Sequence, residues 1–315
     1  MLGWLLIALS AGLVANSLLG PVATGVIEYA IPAGGVIESQ LIALDIFSLA
    51  VVAPLSLALA ILARRGHRMA PVMALGPGLY AAYMFAQYIL GPEPLELPGN
   101  SAAFFPLHLA VFVTGGLVAV LAWRAIPLRA LAPLGRRERL VGGVLIPLVA
   151  LLTFARYIPG IVDAAGETPG AADYLEAPTF YWTIALLDLG VALPAVIASA
   201  IGLRRGQAWA RKLAYAVAGW LALVGPAVGA MAITMYANRT PDSSAAQAMA
   251  MTALGLLFAV LAVSVYRALA DDLSSNALRV AAIRGRLKAA KAADGSWRSS
   301  RAWVDEYRAT RYKRA

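Results

Sequence analysis

The stretch "ALLDLGVALPAVIASAIGLRRG", Ala185 to Gly206, is a helix length of apolar residues closed by Arg204 and Arg205, with one carboxylate, Asp188, inside it. An earlier stretch, "ALDIFSLAVVAPLSLALAILARRG" from Ala43 to Gly66, has the same plan: Asp45 inside, Pro54 midway and an Arg-Arg-Gly stop. About 20 apolar residues cross the hydrocarbon of a bilayer as a helix. Only helices and closed barrels satisfy their own backbone hydrogen bonds there. Such stretches recur along most of the chain, so the fold class expected is an all-α, polytopic membrane bundle.

Composition agrees. The chain has 315 residues, 61% hydrophobic and 14% charged, against about 25% charged for a soluble domain. Eight spans are expected, at 2–22, 40–63, 70–90, 104–123, 140–158, 179–203, 213–236 and 247–267. The first begins "MLGWLLIALS", without the basic start of a signal peptide, and is read as a retained helix. If it is cleaved, seven spans remain. The Ala-, Gly- and Pro-rich spans suit a bacterial inner membrane.

Lys and Arg set the orientation. Arg64, Arg65 and Arg68 follow span 2, and Arg124, Arg129, Arg136, Arg137 and Arg139 follow span 4. Arg204, Arg205, Arg211 and Lys212 follow span 6; Arg267 and the tail follow span 8. Of the 26 basic residues only Arg156 and Arg239 fall on the other side. That side carries Glu28, Glu38, Glu93, Glu96, Asp163, Glu167, Asp173, Glu176 and Asp242. Both termini are therefore expected in the cytoplasm, in a cell membrane with an acidic outer face.

The halves look duplicated. Pro54 to Arg64 is ten residues, as is Pro194 to Arg204. "EYAIP" (28–32) and "ARYIP" (155–159) hold comparable places upstream, and "LAWRAIPL" (121–128) and "SVYRALAD" (264–271) close the two runs. Two parallel four-helix halves, 1–132 and 133–269, follow, with a pseudo-symmetry axis along the membrane normal. A basic tail, 270–315, carries 11 Lys and Arg against five Asp and Glu. In it Val280, Ile283 and Leu287 form a helical stripe flanked by Arg279, Arg284, Arg286, Lys288 and Lys291. Two readings stand, an amphipathic helix on anionic lipid headgroups and a solvated, partly disordered basic tail. Nucleic acid ranks below both.

The carboxylates carry the functional argument. At ~1.5 Å per residue, Asp45 stands ~28 Å before Arg64, close to the outer headgroups, where a charge costs little. Asp188 stands ~24 Å before Arg204 by the same rise, inside the membrane, where an ionisable side chain is by default a functional hypothesis. Tyr181 and Trp182 resemble an interfacial aromatic belt. Arg156 is the expected counter-ion of Asp188 or Asp163. His108, Glu93, Tyr83, Gln87 and Tyr88 fall at the same depth. Two readings remain here too: a polar pocket open to the outside, binding a small molecule or ion, or an Asp188–Arg156 staple between helices. Gly76-Pro77-Gly78 and Gly225-Pro226 are expected to kink or unwind spans 3 and 7. Asn16 is read as a helix–helix hydrogen bond.

Several chemistries are excluded. There are no cysteines, so no disulfides, thiolate metal sites or thiol nucleophiles. No phosphate-binding glycine loop, nucleophile elbow or zincin motif occurs. The two histidines, His67 and His108, fall on opposite sides, and no lysine sits mid-membrane for a Schiff base. No cofactor is expected. A divalent-metal site from Asp45, Glu93, His108 and Asp188 is left open. Three functions compete: a small-molecule or ion carrier using Asp188 and Arg156, a non-catalytic sensor or assembly subunit acting through its tail, and a lipid-modifying enzyme using His108, Asp163 or Glu93.

Overall fold

A computed structural model describes residues 1–126, 131, 139–168, 170, 172–240, 243–293, 295–300, 302–304 and 306–307. Arg129, Arg136, Arg137, Asp242, the side chains of Asp173 and Arg267, and the 132/133 boundary lie outside the described residues. The chain divides into two compact units, Met1–Tyr266 and Arg267–Ala315.

Among the described residues the regular elements of the first unit are all helices. Helix α1 is Leu2–Leu19. Helices α2 (Val36–Phe47) and α3 (Ala53–Arg64) join through a wide π-turn, Ser48–Val52. Helix α4 is Ala70–Leu90, and α5, Phe105–Ala125, follows a 3₁₀ turn at Ser101–Phe104. A second π-turn, Val141–Leu145, leads into α6 (Ile146–Phe154), and α7 is Tyr157–Ala164. A short α8 (Ala172–Leu175) precedes α9 (Pro178–Leu187), which joins α10 (Leu193–Arg204) through a third π-turn, Asp188–Ala192. Helix α11 is Ala208–Ala237 and α12 is Ala245–Ile283.

Seven of these segments are long and apolar enough to cross a membrane: Leu2–Leu19, Val36–Arg64, Ser101–Ala125, Val141–Ala164, Pro178–Arg204, Ala208–Ala237 and Ala245–Tyr266. Leu57, Ile61, Phe112, Leu117, Leu152 and Val260 stand exposed along them. Soluble monomers rarely expose so much contiguous apolar surface, so the outer faces are made for lipid. This is a multi-pass membrane bundle.

Helix α4 is the segment of the expected eight that is not among the seven. It is 21 residues long, but Pro71, Pro77, three tyrosines and Gln87 lower its apolarity. The reason lies in its surroundings. It packs on α5 and α11, with α3 and α9 also against it, and all of Leu75, Tyr80, Phe85, Gln87 and Tyr88 are buried. A helix wrapped by others faces protein and has no need of a lipid-compatible surface. Helix α11 is its partner in the centre: 67% of its most apolar window is buried, against 28–39% in the other six.

Glycines let the central helices approach. A methyl on Gly76 would lie 3.0 Å from the Gly219 carbonyl oxygen, and one on Gly78 2.9 Å from that of Gly115. Gly255 presses on Gly225 in the same way, between α12 and α11. The Gly-Pro words of spans 3 and 7 thus serve packing, and the expected unwinding there is corrected: α4 and α11 are unbroken helices. The winding changes instead before Pro54, Pro147 and Pro194. Each stands six residues after the first residue of a π-turn, Ser48, Val141 or Asp188. Proline lacks an N–H, and its ring clashes with the carbonyl four residues back. The residue before each proline instead donates five residues back, Ala53 to Ser48 and Leu193 to Asp188, a local widening often found at functional sites.

Basic side chains finish one end of the bundle. Arg64 lies over the Trp4 ring, and Lys212 donates to the Trp123 carbonyl at 2.7 Å in the last turn of α5, where a cation meets the negative end of the helix. The other end is tied by carboxylates. Glu93 Oε1 accepts from the Thr179 N–H at the start of α9, and Glu176 Oε1 from the Val36 N–H at the start of α2. The second unit has its own small core. Ala281, Ala282 and Leu287 are buried with Trp297, Val304 and Tyr307 packed on them, beside a two-stranded pairing of β1 (Ala290–Lys291) with β2 (Trp297–Arg298). The expected tail stripe is split: the helix ends at Ile283, Val280 and Ile283 are exposed, and Leu287 lies beyond it in that core.

Candidate functional site: two carboxylates held by phenols

Asp188 opens the third π-turn and is 4% exposed. Each carboxylate oxygen accepts one phenol: Oδ1 from Tyr83 of α4, Oδ2 from Tyr157 of α7 at 2.6 Å. Arg156 is on the same side, as expected, but its Nη2 stands 3.6 Å from Oδ2 and donates instead to the Tyr157 hydroxyl at 2.8 Å. A direct guanidinium–carboxylate bond runs about 2.7–2.9 Å. The arginine side chain is 46% exposed, so the pair is a buried anion with its cation at the rim and a phenol between. Tyr83 continues inward to an edge contact with Trp220 of α11, ring centroids 5.2 Å apart.

Asp45 departs from expectation. Spacing along the helix put it at the headgroups; in the fold it is 1% exposed. The end of α1 and the loop after it cover it. Oδ1 accepts from Tyr88 of α4 at 2.9 Å and from Asn16 Nδ2 of α1 at 3.0 Å, and Oδ2 lies 3.4 Å from the Tyr29 hydroxyl. Ser17 donates to the Asp45 carbonyl at 2.9 Å. A methyl on Gly20 would fall 2.7 Å from Oδ2, so glycine is needed where α1 ends against this carboxylate. Burial, then the adjacent Asp45 carboxylate, pushes the Tyr29 phenol well above its ordinary pKa, which keeps its proton in place as a donor.

The two aspartates are not equivalent in register. Counted from the following proline, Asp188 matches Ser48, whose hydroxyl meets that of Tyr80 at 3.1 Å. Asp45 lies three residues earlier, about one helical turn. What does match is the donor set. Tyr29 comes from "EYAIP" and Tyr157 from "RYIP", and each carboxylate takes its second phenol from α4. Tyr29 and Tyr157 were missed as site residues although those words were visible, because a word does not say which carboxylate it reaches.

His108 is 1% exposed, near the start of α5. Its ring lies 5.8 Å from that of Tyr88 and 6.2 Å from that of Tyr29. With Tyr88, Pro92, Ser101 and Phe105 it lines a cleft of about 280 Å³. Glu93 lines a neighbouring cleft with Pro178 and Thr179, and its carboxylate is occupied at the start of α9. Asp163 Oδ2 accepts from Gly170 N–H and the Tyr174 hydroxyl, both at 3.0 Å, and holds the loop after α7. Gln87 is buried in α4 between the Tyr83 and Tyr88 sides. Tyr181 and Trp182 join Tyr157 and Tyr174 in an aromatic cluster. Asp188, Arg156 and Tyr83 are therefore brought together in one group, and Asp45, Tyr88 and His108 in another. Glu93 and Asp163 hold backbone elsewhere. Among the described residues no group of three or more His, Asp or Glu side chains is placed to hold a metal ion.

Comparison of the chain with protein-family models, with curated proteins and with solved structures gives no match.

Proposed function

We propose that the chain is a membrane carrier for a small molecule or ion, with Asp188 as the binding carboxylate and Arg156 as its exchangeable partner. The observation that carries this reading is how Asp188 is held: buried, one phenol on each oxygen, its cation 3.6 Å away at the rim. A helix staple would close that gap into a direct bond. Here a proton or the cationic group of a small molecule can replace the arginine without stripping the carboxylate of its donors. Coupling of one site to two states is what a carrier needs.

The wider reading goes with it. Helix α4 supplies the eighth crossing, both termini are cytoplasmic, and the acidic end faces outward, in a bacterial inner or other cell membrane. Residues 1–132 and 133–269 form two parallel four-helix halves that rock against each other. The matched prolines and the "EYAIP" and "ARYIP" words support a duplication, and α4 and α11, the third span of each half, meet at Gly76 and Gly219.

The test is flux. The full chain in proteoliposomes, under an imposed pH gradient and a panel of small cations and metabolites, is expected to show pH-dependent uptake that Asp188→Asn abolishes. Uptake of wild-type size in that variant rejects this mechanism.

A second reading, a sensor or assembly subunit, is favoured by one observation, the separate core of Arg267–Ala315. Its basic side chains suit anionic lipid or a protein partner. Truncation at Asp271 that leaves localisation and partner pull-down intact removes it. The lipid-enzyme reading gains no such observation, since Glu93 and Asp163 hold backbone.

A further inference from the structure

Asp45 differs from Asp188 in having no cation beside it: among the described residues no Lys or Arg pairs with it. The groups that face it are neutral. Helix α1 gives Asn16 and Ser17, the following loop Tyr29, and α4 Tyr88, with Tyr80 nearby on Ser48. Helix α5 gives His108, through its ring contacts with Tyr29 and Tyr88. Helix α11, packed on α2, meets that helix through neutral groups further along it: Met235 Sδ accepts from Gln40 and Asn238 donates to Ser39. An ionised Asp45 would be an isolated charge inside the bundle, which is strongly unfavourable unless it is paired or neutralised.

Two further observations say what neutralises it. The first is the direction of the hydrogen bonds. Three donors, Asn16 Nδ2 and the Tyr88 and Tyr29 hydroxyls, surround the carboxylate. A hard metal cation needs lone pairs turned inward, and here hydrogens are. The second is a pair of unpartnered atoms. The described residues leave three buried side-chain polar atoms without a partner, and two of them, Asn16 Oδ1 and His108 Nε2, belong to this nest. Asn16 is 1% exposed. Turning its amide over puts Oδ1 where Nδ2 now lies, 3.0 Å from Asp45 Oδ1. There it accepts from a carboxylic O–H, as the amide's two ends carry opposite hydrogen-bonding roles. The same side chain thus serves both forms: Nδ2 to the carboxylate, Oδ1 to the acid.

We propose that Asp45 is a proton-binding site, in which the carboxylate takes up one proton, becomes a neutral acid and keeps that proton while its O–H hydrogen-bonds to Asn16 Oδ1, and Tyr88 connects it to the cleft lined by His108. Tyr88 forms part of the wall of that cleft and bonds Asp45 through its hydroxyl. The inference rests on the carrier reading for its purpose, a second protonation coupled to that of Asp188. Its test reads the protonation of Asp45 alone.

The experiment is pH-difference infrared spectroscopy on the full chain in lipid, with and without carbon-13 in the aspartate carboxyls. A carbonyl band of a protonated carboxylic acid is expected. It moves on labelling, and the component that persists in Asp188→Asn is lost when Asp45→Asn is added. Asn16→Val is expected to shift its frequency, because the acid loses its acceptor. No such band at any pH, or an unchanged band in Asp45→Asn, overturns the proposal. If Asp45→Asn does not fold, Asn16→Val in the labelled Asp188→Asn protein decides: a shift of the aspartate band supports the site, and a band that does not move overturns it. Failure of the carrier reading looks different, an intact band without flux.

Discussion

A tyrosine hydroxyl inside a bilayer donates to a carboxylate without adding charge, so Tyr83 and Tyr157 orient Asp188 while leaving its charge to Arg156 alone. Tyr157 does both jobs, since it also accepts from Arg156. Tyr157→Phe is therefore expected to destabilise the protein by about 1–3 kcal/mol, the cost of a buried polar group left without its partner. Adding Arg156→Gln to that variant should cost less than Arg156→Gln alone, with a coupling of roughly 0.5–3 kcal/mol for residues in one network. Denaturant unfolding of the four proteins checks it, and additive effects would mean that Arg156 acts on Asp188 directly. The sequence disclosed Asp188 and Arg156 because depth can be counted from Arg204. It made Asp45 a cheap interfacial charge because such counting measures height in the membrane and is blind to what covers a side chain. Asn16, Tyr29 and Gly20 do the covering, and they are 16 to 29 residues away in the chain.

At the scale of elements, glycine and proline divide the work differently from what their sequence words suggest. Gly255 faces backbone: an added methyl would run into the Gly225 carbonyl oxygen. Gly255→Ala must push α12 off α11 and is expected to cost about 1–3 kcal/mol, the usual range for overpacking; an unchanged melting temperature would contradict the helix contact. The helix starts make a milder case. Glu93→Gln and Glu176→Gln each weaken a bond to the first turn of a helix from another loop, and a loss of about 0.5–2 kcal/mol each is expected in thermal melts. Eight spans were read as apolar runs, and seven of them are helices long and apolar enough to cross. The place of α4 at the centre was not, because its tyrosines and prolines lower its apolarity for the same reason that they are tolerated: other helices, rather than lipid, surround it. The π-turns were also hidden, although the three prolines that enforce them stood in plain view.

At the scale of the whole molecule the account requires that the loop after α3 and the loop after α4 lie on opposite sides of the membrane. The chain has no cysteine, so single cysteines report without background. Glu96→Cys should react with an impermeant maleimide in intact cells, and Arg65→Cys and Arg205→Cys only after permeabilisation. Equal reaction of Glu96→Cys and Arg65→Cys would remove α4 from the set of crossings. Above all, Asp188 is proposed as a binding group whose partner exchanges. Melting temperatures of wild type and Asp188→Asn across the acidic-to-neutral range, with a panel of ions and small metabolites, decide it. A pH- or ligand-dependent rise is expected in the wild type and not in the variant. A variant that is less stable by the same amount under every condition would contradict it and leave Asp188 a staple between helices.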